Sequence, residues 1–293
     1  MKNYFLFITL SNIGDAIMTT PVIEWIHREN PEYLVDIVCD KKSYPIFRYC
    51  PYINHIYIKD KKKGFIGNLK LIKLLRQKKY EIAIDLRTDV FLFFVKAQKK
   101  YFKIIDNYSH SVIKHFKSLR ISTQNIPNPK IWIPDKIQKN INEKFLLKNK
   151  KILVLGIGAN SKHKIWDYEN YVYLVKKLEK KFDLIILLGD KHDNKIALEF
   201  MEKYDKNVLN LCGKLSLIES SAVIKKSLYF IGNDSGLGHI AAALDVPSFT
   251  IFGREDLKRY HPWGRHSAWY QNKDKNINLI DPETVYKKII KKI

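Results

Sequence analysis

The segment from residue 230 to residue 253 constrains the fold of this chain more than any other. A short apolar run at residues 228–231 is typical of a buried strand, and a second apolar run follows at residues 246–253. Between them lie polar residues that favour a helix start, followed by an Ala-rich helical pattern. The sequence strand, polar turn, helix, strand is the repeating unit of an α/β protein with a parallel sheet.

The polar turn in this segment is a candidate ligand site. Asn233, Asp234 and Ser235 are common N-cap residues, and Gly236 and Gly238 would let another molecule approach the backbone closely. The free N–H groups of the first helical turn, together with the helix dipole, favour an anionic ligand such as a diphosphate. Asp234 would repel a phosphate, so we expect it to accept hydrogen bonds from the backbone or from sugar hydroxyls. The alternative is an ordinary strand-to-helix turn in which Asp234 caps the helix.

The rest of the chain alternates in the same way and predicts two doubly wound parallel sheets. Strands are predicted at residues 4–9, 34–38, 55–58, 82–85, 101–105, 151–156, 184–188 and 208–211. Prolines and a Lys-rich stretch between residues 125 and 150 indicate a boundary, so we expect domains at 1–148 and 149–293. The last helix, at residues 282–292, is expected to fold back on the first domain or to lie on a membrane.

Composition suggests an anionic partner. The 293 residues carry a formal net charge of +22, which fits a phosphorylated substrate or an anionic lipid surface better than nucleic acid, because no nucleic-acid-binding pattern is present. Lys, Ile and Asn are abundant throughout the chain, so part of the positive charge can reflect the base composition of the genome rather than function. Cys39, Cys50 and Cys212 are scattered without metal-binding or disulfide spacing. No apolar run approaches a membrane span, so we expect a cytoplasmic protein whose membrane contact, if any, is peripheral.

Several chemistries are disfavoured by missing motifs. Gly156 and Gly158 begin a dinucleotide fingerprint, but Ser161 stands where its third glycine would be. The sequence has no P-loop, no Asp-x-Asp pair and no HExxH, so no catalytic metal is expected. Diphosphate chemistry without a metal needs positive groups, which Lys164 and the turn after residue 232 could supply. Asp15 follows the first strand, where it could be a general base for an acceptor hydroxyl or only a helix cap.

Three blocks make the chain similar to the family 9 glycosyltransferases, the ADP-heptose:lipopolysaccharide heptosyltransferases. The blocks are Ile13-Gly14-Asp15 with Thr20-Pro21, then Lys164-Ile165-Trp166, then residues 233–244 with Pro247 and Phe252-Gly253. This resemblance implies the GT-B fold, in which two Rossmann-like doubly wound domains face a central cleft. It also implies that the first domain binds the acceptor, that the second binds the nucleotide-sugar donor, and that domain closure aligns the reactants.

The resemblance implies a role for each matching residue. Asp15 would be the general base of an inverting transfer, with Gly14 beside the donor phosphates. Lys164 would neutralise the diphosphate and Asp234 would hold the donor sugar. The remaining donor-binding positions would be Ser235, Gly236 and His239 at the phosphate end, Asn160 and Ser161 near phosphate, Asp193 at the ribose and Leu215 beside adenine.

The predicted function is therefore metal-independent transfer of heptose from ADP-heptose to a lipopolysaccharide or lipooligosaccharide core, an anionic glycolipid acceptor. Two departures leave the sugar and the acceptor open: Asp193 replaces a more usual Glu, and Asp85-Leu86-Arg87 stands where Asp-x-Gln is common. One alternative is the same fold with another donor or acceptor, such as a capsule or protein O-glycan. The other is a non-catalytic basic protein that binds nucleotides or nucleic acid.

Overall fold

A computed structural model of the chain describes residues 3–87 and 90–292. It forms two compact units, Met1–Trp132 and Ile133–Ile293. The boundary lies earlier than the one expected after residue 148, because helix Asp135–Lys144 packs against helix Leu217–Lys226 of the second unit. Gln138 Nε2 donates a 3.0 Å hydrogen bond to the carbonyl of Ala222 in that helix. The Lys-rich stretch is therefore part of the second unit.

The first unit is a five-stranded, fully parallel sheet in the order β3-β2-β1-β4-β5. Its elements are β1 (Tyr4–Ile8), α1 (Ile13–Glu29), β2 (Leu34–Asp40), α2 (Tyr44–Phe47), β3 (Ile53–Lys59), α3 (Gly64–Leu75), β4 (Tyr80–Asp85), α4 (Val90–Phe94), β5 (Ala97–Phe102) and α5 (Ser111–Ser118). Strand β5 begins four residues before the predicted start. It is an edge strand with polar, solvent-exposed residues at its start, so the apolar pattern marks only its end.

The second unit is a six-stranded parallel sheet in the order β11-β10-β9-β6-β7-β8. Its elements are α6 (Asp135–Lys144), β6 (Ile152–Gly156), α7 (Tyr168–Leu178), β7 (Leu184–Leu188), α8 (Asn194–Lys203), β8 (Val208–Asn210), α9 (Leu217–Lys226), β9 (Tyr229–Asn233), α10 (Gly236–Ala243), β10 (Ser248–Phe252), α11 (Leu257–Tyr260), β11 (Ser267–Gln271) and α12 (Pro282–Ile289). The prediction of doubly wound parallel α/β architecture is confirmed.

The last helix, α12, packs within the second unit, an arrangement that neither sequence-based alternative named. It packs against α7, and Val285 and Ile289 are fully buried in the core of the second unit. These two positions are four residues apart and therefore lie on one face of the helix, which that core covers. In the described part of the chain, every helix is too short or too polar to cross a membrane.

The strand orders locate where each unit can bind a ligand. In a doubly wound sheet, ligands bind outside the carboxyl ends of the strands, where the strand order reverses direction. That point lies between β1 and β4 in the first unit and between β6 and β9 in the second. The segments after these strands contain Asp15, Arg87, Lys164 and Asp234, so the topology brings the predicted residues to the binding edge of each sheet.

Candidate functional site

The centre of the site in the second unit is an ion pair between Lys164 and Asp234. Lys164 follows β6, Asp234 follows β9, and the Nζ–Oδ2 distance is 2.8 Å. The Asp234 carboxylate is almost completely buried. The backbone N–H of Asp234 donates to the carbonyl of Ile251 in β10. Asp234 is therefore fixed between two strands and holds Lys164. It is not the helix cap, since Ser235 occupies the N-cap position of α10.

A second carboxylate reaches the same lysine. Glu255 lies three residues beyond β10, and its Oε1 is 3.1 Å from Lys164 Nζ. Its side chain is 37% exposed, whereas that of Asp234 is 8% exposed. The backbone carbonyl of Glu255 accepts a 2.8 Å hydrogen bond from Gln271 Nε2. Lys164 is thus shared between a buried, fixed carboxylate and a half-exposed one.

The two loops that bring Lys164 and Glu255 together are in direct contact. A Cβ atom on Gly253 would lie 2.7 Å from the backbone carbonyl oxygen of His163, closer than real Cβ atoms come to such a group. Gly253 therefore allows the loop after β10 to pack on the loop after β6. The close packing follows from the absence of a side chain at this one position.

The electrostatics of this cluster follow from burial and pairing. Burial lowers the pKa of Lys164, but the hydrogen bonds and charges of Asp234 and Glu255 outweigh it, so the pKa is raised above its ordinary value. Burial raises the pKa of Asp234, and the nearby Glu255 adds to this effect, although Lys164 opposes it. The lysine is consequently charged throughout the physiological range.

Asn233 positions the loop that carries Lys164. Its side chain is completely buried, and its Oδ1 accepts hydrogen bonds from the Trp166 N–H at 3.0 Å and the Tyr171 hydroxyl at 2.9 Å. Its Nδ2 donates to the carbonyl of Ile157 at 2.8 Å. Asn233 therefore joins both ends of the loop after β6 to β9. Trp166 is also fully buried, and its indole N–H donates to the carbonyl of Ile280 at 3.0 Å.

The start of α10 presents backbone donors beside Asp234. Ser235 is the N-cap residue, but its side chain makes no capping hydrogen bond, and its buried Oγ has no hydrogen-bond partner in the described part of the chain. Gly236 begins the helix, and His239 is buried one turn later. The first N–H groups of a helix lack partners within the helix and carry its positive dipole end. This turn can therefore bind an anion.

The side chain of Asp193 packs directly against two glycines. It follows β7 and is buried, and its Oδ2 accepts a 2.7 Å hydrogen bond from the Asp190 N–H. A Cβ on Gly158 would lie 1.9 Å from the Asp193 carboxylate, and one on Gly189 would also collide with it. Burial raises the pKa of Asp193 above its ordinary value. Its carboxylate thus lies over the loop after β6.

The other predicted donor residues lie on neighbouring loops of the same unit. Asn160 is exposed and Ser161 is half-buried in the loop after β6, where Ser161 Oγ lies 2.8 Å from His163 Nδ1. Leu215 is half-buried between β8 and α9. The Gly213 N–H that precedes it donates to the carbonyl of Gly189 at 3.0 Å. This bond joins the loop of Leu215 to the loop of Asp193.

In the first unit, Asp15 lies in the first turn of α1, with Gly14 beside it. Its Oδ2 accepts a 3.0 Å hydrogen bond from Asn12 Nδ2, and the side chain is half-exposed. Asn12 holds the N-cap position without a side-chain capping bond. Its amide is instead directed to Asp15. The structure therefore presents Asp15 as a carboxylate oriented by a neighbour, and the N-cap position belongs to another residue.

The position of Asp15 depends on how α1 tolerates Pro21. The helix runs through Pro21, whose missing N–H leaves the carbonyl of Ile17 without its usual partner. The hydroxyl of Thr20 donates to that carbonyl at 2.7 Å. The Thr20-Pro21 pair thus keeps α1 continuous, so that the helix starts at Ile13 and its first turn contains Asp15.

The segment after β4 has a structural role in the same sheet edge. Arg87 Nη1 donates a 2.6 Å hydrogen bond to Asp40 Oδ1 at the end of β2. Its backbone N–H donates to the fully buried Asp85 at 2.8 Å. Arg87 therefore connects the ends of β4 and β2. Thr88 and Asp89, which follow it in the sequence, lie outside the described residues.

Sequence reasoning missed Glu255. The residue lies just past the end of β10, and an acid at the carboxyl end of a buried strand is a general signal for a binding site. Its position three residues beyond an interior strand could have raised it as a candidate. Its contact with Lys164 requires the close packing at Gly253, which no sequence pattern indicates.

In the described residues, no group of three or more His, Cys, Asp or Glu side chains is arranged to hold a metal ion.

Two doubly wound units, with a paired lysine and a helix N-terminus at the binding edge of one of them, define an α/β protein with a candidate anion site. Residues 95–289 match the family described as glycosyltransferase family 9 (heptosyltransferase). The chain belongs to this glycosyltransferase family, and the prediction from its three sequence blocks is confirmed.

Relatives and solved structures agree with this membership. Lipopolysaccharide heptosyltransferase 3 of Escherichia coli K12 is 24% identical over 85% of this chain and 82% of its own length. A family 9 glycosyl transferase from Veillonella parvula has a TM-score of 0.88 at 19% identity, covering 100% of this chain and 98% of that one. An E. coli heptosyltransferase solved with ADP-2-deoxy-2-fluoro heptose has a TM-score of 0.78 at 18% identity, covering 99% and 100%. The fold is therefore GT-B.

Proposed function

We propose that this enzyme transfers heptose from ADP-heptose to the core of a lipopolysaccharide or lipooligosaccharide, with inversion and without a metal ion. The observation that carries the proposal is the Lys164–Asp234 pair at the point where the strand order of the second unit reverses. It puts a fixed cation and a buried carboxylate beside the N-terminus of α10, a combination that suits a sugar diphosphate. Family membership and the structural relative solved with an ADP-heptose analogue support this donor.

The donor is proposed to lie along the carboxyl ends of β6, β7 and β9. Its diphosphate would meet Lys164 and the first turn of α10, with Ser235, Gly236 and His239 on that side, and Asn160 and Ser161 on the other loop. Asp193 would accept from the ribose hydroxyls and Leu215 would pack beside adenine. Asp234 would accept from the heptose hydroxyls. Positive charge fixed where the leaving diphosphate develops its charge lowers the barrier without a metal ion.

Glu255 is proposed to compete with the diphosphate for Lys164. Its ion pair is partly exposed, and exposed pairs contribute little net stability, whereas Asp234 is buried and fixed. An incoming diphosphate would therefore replace Glu255 as the second partner of Lys164 and leave the contact with Asp234 in place. Glu255 would thus limit the affinity of the free enzyme for nucleoside diphosphates.

Acceptor activation is assigned to Asp15 in the first unit. Inversion in a single displacement needs one base that removes the proton of the attacking hydroxyl, and Asp15 is half-exposed and oriented by Asn12. Gly14 would leave room for the donor phosphates. The proposed location is the cytoplasm, at the inner face of the membrane. The free, buried thiols of Cys39, Cys50 and Cys212 fit a reducing compartment.

Thermal unfolding with a panel of ADP, UDP, GDP, CMP and ADP-heptose tests the donor assignment. A ligand that binds the folded state raises the melting temperature, and we expect a shift with ADP and a larger one with ADP-heptose. A shift with UDP or GDP alone would replace the donor and retain the fold. No shift with any nucleotide would favour the non-catalytic alternative, which predicts steeply salt-dependent binding to nucleic acid. Turnover that EDTA abolishes would contradict the metal-independent mechanism.

A further inference from the structure

Helix α3 in the first unit exposes large apolar side chains to solvent. Phe65 is 75% exposed, Ile66 67% and Leu69 48%. At about 100° per residue, these three side chains lie within about 100° of arc on one side of the helix. Leu71 and Leu75, on the opposite side, are buried in the core of the unit. The helix therefore has two apolar faces, of which the core covers one.

The exposed face lies among lysines. Between residues 61 and 79 the sequence contains eight Lys or Arg and no Asp or Glu. Lys62, Lys63, Lys70 and Lys73 are exposed, and in the described residues none of their four ammonium groups forms an ion pair with a carboxylate. Lys73 follows Leu69 by four positions and therefore lies on the same side of the helix one turn later, while Lys70 lies about 40° beyond Ile66 around the helix axis. The first turn of α3 contains no acidic residue, so its dipole adds to the positive field.

The position of α3 in the sheet relates this face to the proposed acceptor chemistry. Strand β3 ends at Lys59, and a single turn of 3₁₀ helix, Lys61–Lys63, leads directly into α3. All strands of the unit are parallel. The start of α3 therefore lies at the same edge of the sheet as the start of α1, which contains Asp15.

We propose that Phe65, Ile66 and Leu69, together with Lys62, Lys63, Lys70 and Lys73, form a membrane-docking surface for an anionic phospholipid bilayer. A soluble anion would use the lysines and leave the apolar side chains in water, and an apolar protein partner would leave the lysines unmatched. A bilayer interface accepts both, because apolar side chains enter the acyl boundary while lysines bind anionic headgroups. The link to catalysis rests on the proposed function: an acceptor embedded in the membrane would meet the sheet edge that carries Asp15.

Vesicle sedimentation of the full chain tests this surface directly. Vesicles of phosphatidylcholine, with and without phosphatidylglycerol, are mixed with wild type, Phe65→Ser/Ile66→Ser, or Lys70→Gln/Lys73→Gln. Matched controls are Leu198→Ser, an exposed leucine of α8, and Lys180→Gln/Lys181→Gln, two exposed lysines of the second unit. We expect salt-sensitive binding of wild type and of both controls to the anionic vesicles only. The lysine variant should bind about 30-fold more weakly, and the apolar variant at least about tenfold more weakly.

Three results would overturn the proposal: wild type that does not bind anionic vesicles, docking-surface variants that bind them as tightly as the controls, or a wild-type dimer that Phe65→Ser/Ile66→Ser abolishes while vesicle binding is unchanged. The last result would assign the face to a second copy of the chain. Melting temperatures with and without ADP are recorded on the same samples and show whether each variant is folded. A wild type without an ADP shift would contradict the donor assignment, while the vesicle result would still decide the docking surface.

Discussion

Replacing Glu255 by Gln should make ADP bind more tightly. The substitution removes a carboxylate that lies 3.1 Å from Lys164 Nζ and is 37% exposed. The lost ion pair costs the free protein at most about 1 kcal/mol, because exposed pairs are weak. Removing one negative charge about 5 Å from a diphosphate of charge about −2 relieves roughly another 1–2 kcal/mol of repulsion at a water-like dielectric constant. Together these effects, about 1–3 kcal/mol, predict a Kd for ADP about 5- to 150-fold lower than in wild type.

Isothermal titration of ADP at low and high salt measures this effect. The affinity gain should shrink as salt rises, because the repulsion it removes is screened. Glu179→Gln is the matched control, since Glu179 also forms a partly exposed ion pair in the second unit, with Lys206, but precedes the amino end of β7. Unchanged or weaker ADP binding in Glu255→Gln would refute the competition. A loss confined to ADP-heptose would instead assign Glu255 to the sugar hydroxyls.

Two further predictions concern the first unit. Asp15→Asn should lower turnover by about 10²- to 10⁴-fold, the usual contribution of a general base, while titration gives an unchanged Kd for ADP; turnover close to wild type would remove Asp15 as the base. His115 is fully buried in α5, and burial lowers its pKa to about 3. As the pH falls below about 6.5, the unfolded chain binds a proton that the native chain excludes, so stability falls until about pH 3. His115→Leu should flatten this part of a melting-temperature profile, and an unchanged slope would contradict the assignment.

The sequence was sufficient to predict most strands of the sheets and the polar loops that follow them, because both depend on local patterns. Apolar runs mark the buried strands, and parallel strands bring their following loops to one edge. Lys164 and Asp234, which are distant in the sequence, meet there at 2.8 Å. Their role as partners of each other was not predicted, because the sequence-based interpretation gave each a separate contact with the donor.

The elements that the sequence-based interpretation missed or misplaced have a different physical cause. Strands β5 and β11 are sheet edges with half-exposed residues, so burial imposes no strong alternation on them. Helix α12 has a clear amphipathic pattern, but amphipathicity states only that one face is covered and does not identify the partner. The same holds for α6, which joins the second unit through α9. Choices between tertiary partners depend on surface shapes that a local pattern does not contain.

Asn233 allows a final test of how the fold supports the site. Its buried amide makes three hydrogen bonds, to the Trp166 N–H, the Tyr171 hydroxyl and the Ile157 carbonyl. Asn233→Ala would leave all three partners buried without their bonds, and each unsatisfied group costs about 1–3 kcal/mol, though such losses are not additive. We expect a loss of about 3 kcal/mol and a melting temperature lower by about 6–12 °C.

The same substitution should weaken ADP binding, because Asn233 holds the loop that presents Lys164. Gln138→Ala is the control, since this half-buried glutamine of α6 donates to the carbonyl of Ala222 and to Asn142, on a helix to which the proposal gives no donor contact. Destabilisation of both variants, with ADP affinity reduced only in Asn233→Ala, would show that Asn233 positions the lysine. Equal ADP affinity in the two variants would mean that Asp234 alone is sufficient to fix Lys164, and would limit Asn233 to a role in stability.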